Sequence, residues 1–162
     1  VIHFNFGLHD LKYIDDKFPR PPRVKERDQA IRKNPDARQL ASVEEYAANL
    51  EKIVVRLKKT DARLLFCTTT PVPKDAAGRI ADDSIRYNKA ALAVMKKHDV
   101  PVNDLHAFAQ ERLAEIQRPR DVHFTKEGSA VLGAEVGRVI RKALSSTPGE
   151  KAPAKPAGTS SP

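Results

Sequence analysis

The run Val-Ile-His-Phe-Asn-Phe at Val1–Phe6, followed at once by Gly-Leu-His-Asp at Gly7–Asp10, constrains the fold more than any other part of the chain. A stretch rich in β-branched and aromatic side chains and closed by a glycine predicts a buried strand of a parallel sheet. The carboxyl end of such a strand opens into a loop, and open α/β sheets bind ligands at that edge. His9 and Asp10 are therefore candidates for chemistry as well as for structure.

Composition limits the chain to one globular unit with a tail. Of its 162 residues, 40% are hydrophobic, which is enough to bury a core. No apolar run approaches the length of a transmembrane helix, so we expect no membrane span. Cys67 is the single cysteine, which excludes an internal disulfide and a cysteine-based metal cluster within this chain.

The net charge of +8 raises the question of a nucleic-acid partner. The basic residues are interleaved with acidic ones, and only three tyrosines and no tryptophan are available for base stacking. We therefore expect no nucleic-acid binding. A solvated basic surface, or weak attraction for an anionic substrate, accounts for the charge.

A helix followed by a strand comes next in the regular part of the chain. Ser42–Lys59 has apolar residues at the spacing of one helical face, and Ser42 with Glu45 forms a capping box. The apolar run Arg63–Thr68 predicts a second buried strand, parallel to the first because a helical crossover connects them. The threonines that end it reach the same sheet edge as His9, either to line a pocket or as ordinary strand-end residues.

The remaining pattern predicts more helices and one short strand. Asp82 or Asp83 begins a helix that runs to about His98, with Ile85, Leu92 and Met95 facing inward. A strand is expected at Val100–Val102, then a helix to about Ile116, and a last helix with Thr125 as its N-cap. From residue 145 onward, the Pro, Ala, Lys and Ser content predicts a disordered tail, which leaves residues 1–144 as the folded domain.

The segment Lys12–Ala41 is long for a loop inside a compact domain. It leaves directly from the sheet edge that carries His9. Two interpretations stay open: a lid whose arginines contact anionic or hydroxyl groups of a substrate, or a disordered insertion with a short helix near Val24–Lys33.

Three other histidines receive structural interpretations. His3 is expected to be a hydrogen-bonded core residue of the first strand, and His98 a surface residue at a helix end. His106 has no partner signal, so a surface or packing role is expected.

Asp121 and His123 form the clearest chemical motif. They flank one residue, so in an extended segment both side chains project to the same side, with Cα atoms about 6.6 Å apart. A carboxylate there can hold one imidazole nitrogen and leave the other free to accept a proton. The start of the following helix disfavours the protonated ring, and the two effects together suit a general base.

Gly7–Asp10 lies at a predicted strand end, alternating helices and strands follow it, and Asp-Val-His-Phe-Thr stands at Asp121–Thr125. In this order of motifs, the chain resembles the GDSL, or SGNH, hydrolases. The resemblance extends from Val1 to about Leu144. It implies a flavodoxin-like three-layer α/β/α fold with a parallel sheet, and Ser-His-Asp ester hydrolysis. In that family, a Gly-x-Asn-Asp block after the third strand supplies an oxyanion donor, and a late Asp-x-x-His block supplies the acid and the base.

The chain departs from the family pattern in three places. The Gly-Asp-Ser block with the nucleophile and the second oxyanion block are absent, so we expect the first strands to precede Val1 in a longer protein. Ser84 and Ser129 lie at helix starts and do not suit an activated nucleophile. His9 replaces the asparagine, and an imidazole N–H can also donate to an oxyanion. Asp121 stands two residues before His123 rather than three, so a backbone carbonyl could also orient the ring.

These observations predict the carboxyl-terminal part of a serine esterase. His123 is the base, Asp121 orients it, His9 is the oxyanion donor, and the chain itself contains no nucleophile, metal or organic cofactor. The resemblance implies an acyl ester, with an acetyl group on a carbohydrate as the narrower candidate. The alternative is a non-catalytic hydrolase-like module that binds glycans or protein. Localisation stays open, including a secreted or periplasmic site, and so does the oligomeric state.

Overall fold

A three-stranded parallel sheet organises the fold, as described by a computed structural model for residues 1–14 and 27–145. In chain order, the elements are β1 (Ile2–Phe4), β2 (Tyr13–Ile14), α1 (Arg27–Lys33), β3 (Arg38–Gln39), α2 (Val43–Leu57), β4 (Leu64–Cys67), α3 (Asp83–Lys97), β5 (Val102–Asn103), α4 (Leu105–Gln110), α5 (Leu113–Ile116) and α6 (Lys126–Ser145). The sheet has the order β1-β4-β5, and both pairings are parallel, as the helical crossovers predict.

Helices cover both faces of this sheet. On one face, Leu64 and Phe66 of β4 pack in a cluster with side chains of α2 and α3. On the other face, Cys67 packs with side chains of α4, α5 and α6. Successive residues of a strand point to opposite faces, so β4 contributes to both cores. This arrangement confirms the predicted three-layer α/β/α class.

Helix α2 forms as its sequence predicts. The Ser42 hydroxyl accepts the Glu45 backbone N–H, and the Glu45 carboxylate accepts the Ser42 N–H, which confirms the capping box. Its residues Tyr46, Leu50 and Val54 are buried in the core cluster. Burial of a large apolar side chain stabilises a fold by about 1.5–3 kcal/mol, so this face holds the helix on the sheet.

The buried face of α3 differs from the prediction. Ile85 and Leu92, expected to face inward, are 56% and 40% exposed, whereas Met95 is buried as expected. Asn88 lies on the buried face, where it donates to the Thr69 carbonyl and accepts the Thr69 N–H, both at 2.8 Å. An unpaired amide would be costly to bury. These two hydrogen bonds therefore help to set the rotation of α3, which an apolar pattern alone could not reveal.

The predicted start of α3 is confirmed, but the helix has no side-chain cap. Asp82 stands at the N-cap position, but its side chain accepts no capping hydrogen bond. Asp83 is buried within the helix, where its carboxylate pairs with Arg86 at 2.9 Å and accepts the Gln39 amide at 3.0 Å. The carboxylate is thus used to attach the β2–β3 ribbon to α3 rather than to cap the helix.

The elements after α3 are shorter than expected. The strand predicted at Val100–Val102 forms at Val102–Asn103, and the helix predicted to about Ile116 is divided into α4 and α5. Arg112 interrupts it with a φ of −127° and a ψ of 6°, which are not helical values. Its guanidinium lies 4.3 Å from the centre of the Phe108 ring and donates to the Phe108 carbonyl. These contacts hold the chain in the break.

Helix α6 begins as predicted. The Thr125 hydroxyl accepts the Gly128 N–H at 2.9 Å, which confirms the N-cap. A Cβ on Gly128 would lie 2.2 Å from the Ile116 carbonyl oxygen, so this glycine lets α6 pack on the backbone of α5. None of the described helices, α6 included, has the length and apolar character that a membrane crossing requires. The predicted tail after residue 145 lies outside the described residues.

Part of the long segment Lys12–Ala41 has regular structure. The strands β2 and β3 pair in an antiparallel ribbon, and the short helix expected near Val24–Lys33 is confirmed over Arg27–Lys33. The ribbon contacts the loop before α3, because the Tyr13 N–H donates to the Gly78 carbonyl at 2.8 Å. The described part of the segment is therefore ordered. Residues 15–26 lie outside the described residues, and the lid hypothesis stays a prediction.

Two histidine interpretations need correction. His3 is partly buried as expected, but its Nε2 is occluded and has no hydrogen-bond partner among the described residues. Burial lowers the pKa of His3, which favours the neutral ring. The His98 side chain is only 15% exposed rather than on the open surface, because its Nε2 lies 3.1 Å from the Glu51 carboxylate.

The burial of Cys67 generates a testable prediction. Burial raises the pKa of its thiol to about 12, an effect that the negative charge of Asp104 reinforces. At pH 8 the native thiolate fraction should therefore be roughly three orders of magnitude below that of a free cysteine. We expect a disulfide exchange reagent to label Cys67 very slowly in the native protein and rapidly in denaturant. Equal labelling rates in the two conditions would contradict the predicted core.

Candidate active site

The loop that follows β1 is held through its carbonyl groups. Each carbonyl oxygen from Phe6 to Asp10 accepts at least one hydrogen bond. Two side-chain hydroxyls, of Tyr46 and Thr69, donate to the Phe6 carbonyl, and Arg79 Nε donates to the Leu8 carbonyl. Backbone N–H groups serve the other three carbonyls: Leu11 donates to Gly7, Lys12 to His9 and Ala41 to Asp10. Since these donors come from several elements, the turn that carries His9 is fixed before any substrate binds.

Gly7 is required by two features of this loop. Its φ of +130° is a conformation that L side chains rarely adopt, and a Cβ there would lie 2.5 Å from the Thr69 hydroxyl oxygen. The same hydroxyl donates to the Phe6 carbonyl at 2.8 Å. The close approach that forms this hydrogen bond therefore leaves no room for a side chain at position 7.

The threonines that end β4 have structural partners. Thr68 and Thr69 are each 1% exposed. The Thr68 hydroxyl donates to the Asp104 carboxylate at 3.0 Å and accepts the His106 backbone N–H at 2.9 Å. These two threonines thus connect strand ends, and the strand-end interpretation of them is confirmed over the pocket interpretation.

Asp121 and His123 are in direct contact. One oxygen of the Asp121 carboxylate lies 2.7 Å from His123 Nδ1 and accepts the His123 backbone N–H at 3.1 Å. The turn that brings them together includes Arg120 at a φ of +59°. The side chains are 40% and 75% exposed, respectively, so the pair is open to solvent.

The charge state of this pair follows from its hydrogen bonds. Burial raises the pKa of Asp121, but the hydrogen bonds and charge of His123 outweigh that effect, so the Asp121 pKa lies below its ordinary value. An ionised carboxylate can only accept, and Nδ1 must therefore donate to it. The neutral ring then carries an unprotonated Nε2, which has no hydrogen-bond partner among the described residues. That nitrogen is available to accept a proton.

The segment carrying His123 is attached to the end of β4. The buried amide of Gln117 donates to the Pro71 carbonyl at 3.0 Å, just beyond the carboxyl end of that strand. Gln117 also forms an isolated antiparallel bridge with Phe124, next to His123. The two parallel strands β1 and β4 end at the same edge of the sheet. The His123 segment and the Gly7–Asp10 loop therefore both belong to this edge.

Arg79 connects the two halves of the edge. It is 7% exposed, and its Nε donates to the Leu8 carbonyl at 2.9 Å. Burial lowers the pKa of Arg79, while the negative charge of Asp121 acts in the opposite direction. The guanidinium thus touches the loop that carries His9 and lies within electrostatic reach of the Asp121 carboxylate.

His9 lies on the fixed turn with an exposed side chain. Among the described residues, its ring makes no hydrogen bond to Asp10, Asp121 or His123. The charge of Asp10 instead acts on the buried Tyr46, whose pKa is raised first by burial and then by this carboxylate. The structure therefore brings Asp121 and His123 together and leaves His9 on a neighbouring turn, where its role as oxyanion donor stays a prediction.

A second serine and histidine contact lies elsewhere. Ser84 Oγ is 3.4 Å from His106 Nε2, at the upper limit for a hydrogen bond. Burial lowers the pKa of His106, against the raising effect of Asp104. Ser84 is 2% exposed, so a substrate has no access to its hydroxyl. This contact is a packing contact, in line with the interpretation of His106 as a surface or packing residue.

No described serine suits His123 as a nucleophile. Ser129 Oγ donates to the Thr125 carbonyl at 2.8 Å within α6, and Ser42 caps α2. None of the described serines forms a hydrogen bond with His123. The described residues also contain no group of three or more His, Cys, Asp or Glu side chains placed to hold a metal ion.

The sequence interpretation missed Arg79. Its position in Ala-Ala-Gly-Arg, in the loop after a strand that ends at the candidate edge, is the only signal for it. Its burial and its hydrogen bond to Leu8 depend on how a distant loop folds back, which no local pattern contains.

Comparison with known proteins identifies a similar protein and a similar solved structure. A GDSL esterase/lipase of Arabidopsis thaliana is 31% identical over 136 residues, which cover 72% of this chain and 56% of that protein. The crystal structure of a lipase/acylhydrolase from Enterococcus faecalis matches with a TM-score of 0.54 at 22% identity, covering 64% of this chain and 53% of that one. The chain thus spans little more than half the length of either protein. No protein-family model matches it.

The geometry of Gly7 generates a prediction about stability. Gly7→Ala should lower the free energy of unfolding by about 2 kcal/mol or more, because it combines an unfavourable φ with a clash against Thr69. Gly133→Ala in α6 is the matched control, since its Cβ would meet no atom within 4 Å. This control should be neutral or stabilising, because alanine favours a helix. Chemical denaturation measures both variants, and a Gly7→Ala protein as stable as the native one would contradict the account of the loop.

Proposed function

We propose that this chain, which belongs to the SGNH or GDSL family of hydrolases, forms the carboxyl-terminal part of the catalytic domain of a serine ester hydrolase. The observation that carries the proposal is the contact between Asp121 and His123 at the carboxyl edge of a parallel sheet. An ionised carboxylate on Nδ1 and an unoccupied Nε2 are what a general base of this chemistry needs.

In the proposed reaction, His123 Nε2 takes the proton of a serine hydroxyl supplied by the part of the protein that precedes Val1. The serine oxygen attacks the ester carbonyl carbon, and the carbonyl oxygen becomes an oxyanion. The protonated His123 then gives its proton to the departing alcohol oxygen as the ester bond breaks. A water molecule hydrolyses the acyl-enzyme by the same steps in the second half.

Asp121 and His9 have supporting roles in this scheme. Asp121 holds the ring by its Nδ1 and stabilises the imidazolium that forms during proton transfer. His9 donates a ring N–H to the oxyanion. The hydrogen bonds to the carbonyls of its turn fix that turn in advance, so little reorganisation is needed when charge develops.

For the substrate, we propose an acyl ester, with an acetyl group on a carbohydrate as the narrower candidate. The open setting of the pair supports a large polar alcohol component, because His123 and Asp121 are 75% and 40% exposed. Such an alcohol could keep its hydroxyl groups in water while the acyl group occupies the site.

Replacement of the base provides the first test. In the protein expressed from its full reading frame, His123→Ala should lower kcat/KM for 4-nitrophenyl acetate by about 10³-fold or more without changing the fold. His98→Gln is the matched control, since His98 ends α3 at the opposite edge of the sheet and should leave turnover unchanged. Turnover of His123→Ala near that of the native protein would contradict the proposal. A reading frame without an upstream Gly-Asp-Ser block would favour the binding-module alternative.

Replacement of the acid tests the orienting role. Asp121→Asn should lower kcat/KM by about 10²-fold or more, because the imidazolium loses its anionic partner. Normal turnover of Asp121→Asn, measured on 4-nitrophenyl acetate, would assign the orienting role to another group.

A further inference from the structure

Arg79 is a buried cation that forms no ion pair with any of the described residues. Arginine is rarely buried to 7% exposure unless its charge is paired. No carboxylate among the described residues lies within ion-pair distance of its guanidinium. The carboxylate whose charge does reach it, Asp121, is hydrogen-bonded to His123. The positive charge therefore lacks a dedicated counterion in this part of the protein.

The guanidinium also has unused donors. Nε donates to the Leu8 carbonyl at 2.9 Å, and Nη1 donates to the Ala77 carbonyl at 3.2 Å. A guanidinium carries five N–H donors, so most of its hydrogen-bonding capacity is not used by described residues. Nη2 makes no hydrogen bond to a described residue and is not completely buried, so its donors remain for a ligand.

The location of these donors relates them to the candidate site. Leu8 precedes His9 directly in the turn at the end of β1, and Asp121 lies next to His123 on the other side. A ligand that reached the free side of Arg79 would thus lie near the turn that carries His9 and within reach of the charge of Asp121. The planar fork of a guanidinium suits oxyanionic groups such as carboxylates, which accept two parallel N–H bonds.

We propose that Arg79 binds an oxyanionic group of the substrate, separate from the ester that is cleaved, and so makes the enzyme selective for acidic esters. This inference rests on the proposed ester hydrolase function. The geometry that carries it is a buried guanidinium, without an ion pair among the described residues, fixed by Leu8 and Ala77 between the two halves of the site.

The experiment uses matched pairs of charged and neutral esters with the protein from the full reading frame. On the acyl side, 4-nitrophenyl hydrogen succinate carries a carboxylate and 4-nitrophenyl butyrate lacks it. On the alcohol side, 4-acetoxybenzoate carries a carboxylate and 4-acetoxybenzamide has a neutral amide in its place. We expect kcat/KM of the native protein to favour the charged member of at least one pair by about tenfold or more, and the pair that shows it identifies the component that carries the anion.

Variants of Arg79 separate recognition from structure. Arg79→Gln should abolish the preference, so kcat/KM for the charged ester should fall about tenfold more than kcat/KM for its neutral partner, and Arg79→Lys should keep part of the preference because the charge remains. Arg86→Gln is the control, since Arg86 is an exposed arginine of α3 and should leave the preference intact. Thermal melting checks the fold of each variant.

Each outcome decides the inference. A larger loss on the charged ester than on its neutral partner in Arg79→Gln supports it. Equal loss on charged and neutral esters would overturn it and assign Arg79 to holding the Leu8 carbonyl or to the reacting oxyanion. Hydrolysis of neutral esters by the native protein without any preference would overturn it while leaving the proposed function standing. Absence of hydrolysis of all four esters would overturn both.

Discussion

The arrangement at the end of β1 depends on one physical constraint, which is that buried backbone carbonyls must find donors. From Phe6 to Asp10, these donors come from α2, from the end of β4, from the loop before α3 and from the turn itself. Each hydrogen bond contributes only about 0.5–1.5 kcal/mol, but together they connect separate elements to one turn. The fixed position of His9, the requirement for glycine at position 7 and the burial of Arg79 all follow from this attachment.

The second half of the edge is built by a different device. Gln117 attaches its segment to the Pro71 carbonyl, and the tight turn through Arg120 lets one Asp121 oxygen serve both the backbone and the ring of His123. The first half is thus held by hydrogen bonds from several elements to its carbonyls, and the second by Gln117 and the Asp121 carboxylate, while the side chains of His9 and His123 are exposed. A general base benefits from this combination, because the ring is oriented and yet can exchange its proton.

Local patterns in the sequence are sufficient for the strands β1 and β4, the capping box at Ser42 and the N-cap at Thr125, because each depends on neighbouring residues. The contact between Asp121 and His123 was also expected, since they are close in sequence. Long-range polar contacts account for the errors. The rotation of α3 depends on the hydrogen bonds between Asn88 and Thr69, and the side chain of Asp83 is used by the ribbon rather than by the helix end.

The central claim is that His123 activates a serine that lies outside the described residues. Labelling of the protein from its full reading frame with a fluorophosphonate, followed by peptide mapping, tests it most directly, because the reagent bonds to an activated serine oxygen. We expect one adduct, on a serine in a Gly-Asp-Ser block upstream of Val1, and its loss in His123→Ala. No adduct, or an adduct on Ser84 or Ser129 that survives the loss of His123, would contradict the account.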